Sequence, residues 1–184
     1  MADADERLVS ATESRLRRLG APVHAEVGAA ETTVDRVLPK LNKFGLHFAF
    51  LDPYNLGALP FEVIKKLARL QRMDILIHVS VQDLNRNLRR YVSRPKSPLD
   101  TFAPGWREHV DTNRSIDHMR GKIFEYWRSL LKTIGMSTAE AAELVVGSKK
   151  QPLYWLAFAA RHKLALEFWE KIRHLEAKRQ NDIF

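Results

Sequence analysis

The stretch Gly45–Leu46–His47–Phe48–Ala49–Phe50–Leu51–Asp52–Pro53–Tyr54–Asn55–Leu56–Gly57 does most to limit what this chain can fold into. Phe48 to Leu51 is a near-continuous apolar run, bounded by Gly45 and by Asp52–Pro53. A run this short suits a strand buried on both faces, as in a parallel sheet covered by helices. Pro53 has no N–H to give to a ladder, so the strand is expected to stop at Asp52. A carboxylate and then a phenol therefore stand at the carboxyl end of a central strand, the edge at which open α/β sheets bind ligands. Asp-Pro after an apolar run is also an ordinary strand stop, with Asp52 capping the turn that follows.

The flanks extend the pattern. Residues 5–19 carry Leu8, Val9, Ala11, Leu16 and Leu19 among arginines, which suits an amphipathic helix ended by Gly20. Val23–Val27 alternates like a short strand that Gly28 ends. Glu31 to Leu41 has Val34, Val37, Leu38 and Leu41 at helical spacing, with Pro39 fraying or kinking its end. Beyond the central strand, Phe61, Ile64, Leu67 and Ala68 form one helical stripe, and Asp74 to Val81 reads as a second buried strand. A β-α-β-α-β run of this kind predicts a parallel sheet with right-handed crossovers.

After Val81, Gln82 to Tyr91 reads as a helix. Ser93 to Gly105, with three prolines and one glycine, reads as a loop. A long helix is expected from about Ser115 to Ile134, with Ile116, Met119, Ile123, Tyr126, Trp127, Leu130 and Leu131 on its apolar face and Gly135 at its stop. Ser137 and Glu140 match a capping box opening a short helix. Glu143–Val146 and Leu153–Ala159 are strand-like around the turn Gly147–Pro152, although Leu153–Arg161 lacks clear alternation and also admits helix. Leu164, Leu166, Phe168, Ile172 and Leu175 mark a carboxy-terminal helix, with Trp169 on its flank.

Several motifs and spacings then resemble a known family. Phe50–Leu51–Asp52–Pro53–Tyr54 is similar to the (D/N)PP(Y/F) motif of amino-directed S-adenosylmethionine-dependent methyltransferases, with the motif's second proline absent. Phe50 to Gly57, then Asp74–Ile77, Leu84–Asn85–Arg86 and Pro152–Leu156, resemble the three-Cys-motif partner protein (TcmP) family over most of residues 20–175. The resemblance implies a single α/β domain over 1–184. Its sheet would be Rossmann-like, class I methyltransferase-like and mostly parallel, with a carboxy-terminal antiparallel hairpin and a helical insertion at 82–135.

By the same resemblance Asp52 and the carbonyl of Pro53 would bind an exocyclic amine, and Tyr54 would stack on an extruded base. These three are the expected catalytic residues. The eight glycines never cluster as GxG, and Glu31 alone stands near the acid expected after the third strand. The chain is therefore expected to match only the carboxy-terminal half to two thirds of the family, lacking the first two strands. S-adenosylmethionine is the cofactor implied for a complete family member, and no cofactor-binding residue is assigned here. The resemblance leaves two functions open: part of a nucleic-acid-directed amino-methyltransferase, or a non-catalytic module working through another protein. An uncovered strand edge in so short a sheet also predicts association, whether with a partner or between copies.

Charge bears on the choice of partner. A formal charge of +8 and a pI near 9.9 are consistent with a polyanion. Asn85, Arg86, Arg89, Arg90 and Arg94, with Lys96, are the candidate nucleic-acid contacts, and Tyr91 among them could stack on a base. Helix capping and a solvated charged face are the plainer reading of the same residues. With no cysteine there is no disulfide framework or thiolate metal site, and the seven histidines lack paired ligand spacing, so no metal is expected. Met1 to Glu6 is polar rather than a signal peptide, and no apolar run approaches the roughly 20 residues of a membrane span. A cytoplasmic location without membrane contact is expected.

Overall fold

The computed structural model describes residues 1–140 and 142–181, with side chains through Arg173; the Leu175 side chain lies outside them. In chain order the elements are β1 (Ala2–Asp3), α1 (Glu6–Arg18), β2 (Glu26–Val27), α2 (Ala30–Val37), β3 (His47–Leu51), α3 (Phe61–Leu67), β4 (Met73–Ser80) and α4 (Val81–Ser93). Then come α5 (Pro98–Phe102), α6 (Trp106–His109), α7 (Ile116–Thr133), β5 (Ser137–Thr138), β6 (Glu143–Val146), β7 (Pro152–Ala160) and α8 (Lys163–Asn181). The fold is α/β. Among the described residues no helix is long and apolar enough to cross a membrane.

The main sheet runs β3-β4-β7-β5, with β6 also paired to β7. β3 and β4 are parallel, from His47 opposite Met73 to Leu51 opposite Ile77. β7 is antiparallel to β4, β5 and β6. The sheet is therefore mixed, not mostly parallel as expected. The strand at Val23–Val27 shrinks to Glu26–Val27 and leaves the main sheet to pair with Ala2–Asp3. Its ladder groups are already taken there: Glu26 N–H donates to Met1 C=O at 3.0 Å and Gly28 N–H to Asp3 C=O at 2.9 Å. Hydrogen bonds from Lys40, His24 and Arg36 hold the Glu26 carboxyl down to about 2 and anchor the segment against α2.

One face of the main sheet is dry. Ile75, Ile77 and Val79 of β4 and Ala157 and Ala159 of β7 are buried with Phe61 and Ile64 of α3, Leu84 and Leu88 of α4, and Ile123, Trp127 and Leu131 of α7. Phe102 of α5 stacks on Trp127 with centroids 5.1 Å apart, so the insertion between β4 and β5 builds much of this core.

The other face is only partly covered. Helix α8 lies over β7, where Trp169 stacks on Phe158 at 5.2 Å. Over β3, however, Leu46, Phe48 and Phe50 are 85%, 62% and 55% exposed. The expectation of a strand buried on both faces is corrected: β3 is an edge strand, and one of its faces is open.

Two local readings also change. The supposed loop at Ser93–Gly105 contains α5. Pro98 sits in its first turn, where a missing N–H costs nothing, and Ser97 and Asp100 form the capping box. The supposed helix at Ser137 is instead β5, because Ala139 N–H donates to Phe158 C=O at 3.2 Å. Arg128 meanwhile binds Thr138 Oγ1 and the carbonyls of Ala139 and Glu140. α2 does end near Pro39, passing into a 3-10 turn at Leu38–Lys40.

Arg107 locks α5 and α6 to the end of α4, donating to Asp100 Oδ1 at 2.7 Å and to the carbonyls of Tyr91 and Arg94 at 2.8 Å. Burial opposes ionisation of Asp100, but bonds from Arg107, Ser97 and Trp106 outweigh it and hold the carboxyl down to about 2. A depressed carboxyl stabilises the fold above its unfolded value of about 3.9, and the contribution fades as pH falls from about 4 to about 2. With Asp100 29% exposed, its contribution is about 1–2 kcal/mol at neutral pH. Urea midpoints for wild type and Asp100→Asn should thus differ at pH 7 and converge near pH 2. A gap that persists in acid would contradict this account.

Candidate functional site at the carboxyl edge of β3 and β4

Asp52 directly follows β3, as the apolar run and Pro53 predict. Its carboxylate meets a residue that sequence reasoning did not single out. His78, near the end of β4, donates from Nδ1–H to Asp52 Oδ1. Tyr154 of β7 packs edge-on against the imidazole, with centroids 4.1 Å apart and planes at 65°. His78 is thus held from two sides, its side chain 20% exposed, while the Asp52 side chain is 60% exposed. A weak signal for His78 was present in β4, where Asp74 and His78 alternate with Ile75, Ile77 and Val79. Such alternation turns the polar set away from the core.

Past Pro53, which is half-buried, Tyr54 projects into solvent at 86% exposure. The loop behind it is rigidly tied. Asn55 Oδ1 accepts from Ala58 N–H at 3.0 Å, capping a 3-10 turn at Leu56–Ala58. Leu56 is fully buried and its N–H donates to Asp83 Oδ2 at 3.0 Å. A Cβ on Gly57 would lie 2.8 Å from Pro98 Cβ, so the loop presses against α5 at the one residue able to allow it.

Asp83 is the anchor of this arrangement. It is buried in the first turn of α4, and its own N–H donates to the cap hydroxyl of Ser80 at 3.0 Å. It also accepts from Tyr91 Oη at 2.9 Å and from Asn87 Nδ2. Burial, then the bond to Asp83 and its charge, push the Tyr91 phenol up to about 12. Tyr91 is therefore a core residue, and the expectation that it stacks on a base is corrected. The Ser80–Asp83 spacing was the available signal for Asp83, since it matches a capping box.

The other candidates lie on α4 and just beyond it. Asn85, Arg86, Arg89, Arg90 and Arg94 are all exposed. Asn85 is engaged by Arg120 of α7, whereas Arg86, Arg89, Arg90 and Arg94 form no ion pair among the described residues. α4 begins at the end of β4, so its start shares an edge with Asp52. At about 1.5 Å per residue, Arg86 to Arg94 span roughly 12 Å.

A groove of about 430 Å³ lies between α3 and α7, lined by Phe61, Glu62, Lys65, Pro104 and Leu130. A second, of about 270 Å³, lies between α4 and the start of α7 and includes Arg89 and Arg114. Neither is lined by Asp52, Tyr54 or His78. Gly57 is closed off by Pro98 rather than open to a ligand. What the described residues at this edge offer is an acceptor for an N–H donor beside an aromatic ring. Against protein-family models, curated proteins and solved structures, the chain finds no match.

Proposed function

We propose that this chain is the target side of a TcmP-like, methyltransferase-fold protein. In this reading the carboxyl edge of β3 and β4 receives an exocyclic amine of a nucleic acid. The observation that carries it is the Asp52 carboxylate. One oxygen is occupied by His78 and the group is otherwise exposed, at a strand end beside Pro53 and Tyr54. Oδ2 accepts the amine N–H, the carbonyl of Pro53 assists, and His78 keeps the carboxylate from rotating. Tyr54 supplies a stacking face for the base. Arg86, Arg89, Arg90 and Arg94 bind phosphates along α4. The strand order β3-β4-β7, with β7 antiparallel, supports a Rossmann-like sheet ending in a hairpin. The bare edge of β3 favours a second reading, a module that works through another polypeptide.

Comparing single-stranded oligo-dA with oligo-dT tests the amine assignment, because of these two bases only adenine carries an exocyclic amine. Anisotropy titrations should show tighter binding of oligo-dA, and Asp52→Ala should erase the preference. A hydrogen bond to a charged acceptor is worth about 1.5–3 kcal/mol, so the preference should be about tenfold or more. Equal affinity for both tracts in the wild type would remove the amine from the proposal.

A further inference from the structure

We propose that two copies of this chain pair through β3, antiparallel about a twofold axis at Ala49. His47 N–H donates to Arg72 C=O at 2.8 Å, toward β4. Backbone groups alternate along a strand, so those of His47, Ala49 and Leu51 serve β4 while those of Phe48 and Phe50 point to the free edge. The side chains obey the same parity: Phe48 and Phe50 stand on the open face, whereas His47, Ala49 and Leu51 are half-buried.

An antiparallel partner must match outward groups with outward groups and the open face with the open face. A second copy centred on Ala49 satisfies both conditions. Phe48 faces Phe50 of the second copy in a pair that exchanges both backbone hydrogen bonds, and the reciprocal pair repeats it. A one-residue slip would break the hydrogen-bond parity and turn the phenyl rings to the opposite face. The contact is isologous and closes on itself.

The exposed area fits this occupant. Phe44, just before the strand, is 72% exposed. With Leu46, Phe48 and Phe50, at about 200 Å² for side chains of this size, it leaves roughly 550 Å² open on each copy, apart from the Tyr54 ring. That is at the upper end of the largest patch on a typical monomer, about 300–600 Å². It is of the same order as the roughly 800 Å² that each partner contributes to a standard interface. The same register sets Leu46 of the second copy opposite Asp52, so each copy adds an apolar wall to the other's site.

Light scattering after gel filtration of the full chain at micromolar concentration should give twice its 21.2 kDa mass. Amide exchange followed by NMR should show Phe48 and Phe50 protected along with His47, Ala49 and Leu51. In Phe50→Lys the mass should halve and protection should be lost at Phe48 and position 50 alone. If that variant fails to fold, Leu46→Lys, outside the strand, serves in its place. A monomeric wild type, or a dimer whose Phe48 and Phe50 amides exchange freely, would overturn the proposal. None of these readouts requires nucleic acid, so they stand or fall apart from the amine assignment.

Discussion

Asp83→Ala should cost about 3–4 kcal/mol of unfolding free energy, because it strands several buried donors at once. In the wild type Leu56 N–H reaches Asp83 Oδ2 at 3.0 Å, and the Tyr91 hydroxyl reaches its two oxygens at 2.9 and 3.1 Å. Leu56 is fully buried and Tyr91 nearly so, leaving their polar groups little access to replacement water. The substitution also releases the loop that carries Pro53 and Tyr54. Exchange of the Leu56 amide should therefore accelerate more than exchange in β4. Urea unfolding supplies the energy and NMR the local effect. A loss below about 1 kcal/mol would show that the buried carboxylate is not what holds the loop.

The second large effect belongs to the basic face of α4. If Arg89 and Arg90 contact phosphates, each contributes a slope of about −0.9 to log K against log salt on duplex DNA and about −0.7 on single strands. Replacing both by Ala should flatten the slope by up to about two units and weaken binding at low salt, across sequences alike. Both side chains are exposed, so the fold should be unaffected. An unchanged slope in the double variant would assign them to an ordinary solvated face.

What could be read from the chain beforehand was chiefly local. The apolar run Phe48–Leu51 and the stop at Asp52–Pro53 define β3, and the Ile- and Val-rich 74–81 defines β4. The heptad-like apolar spacing in α7 and the strands on either side of Gly147 were legible too. What escaped was mostly long-range. Burial of Phe48 and Phe50 depends on whether anything packs over that face of β3, and no local pattern records that. Val23–Val27 alternates acceptably for a strand, yet Met1 and Asp3 take its hydrogen bonds. The contact between Asp52 and His78 spans 26 residues and exists only because β3 and β4 are parallel neighbours. α5 was a different failure: prolines suggested a loop, although Pro98 directly follows a capping serine, where proline favours a helix start.

Whether the carboxyl edge of β3 and β4 receives a nucleobase is tested most directly by an NMR titration of the isotope-labelled chain with a single-stranded oligo-dA at low salt. The predicted result is a set of shift changes at Tyr54, Asn55 and the His78 ring that saturates together with changes along Arg86–Arg94. Shift changes confined to α4, with Tyr54 and His78 still, would contradict it and leave only electrostatic adhesion to the basic helix.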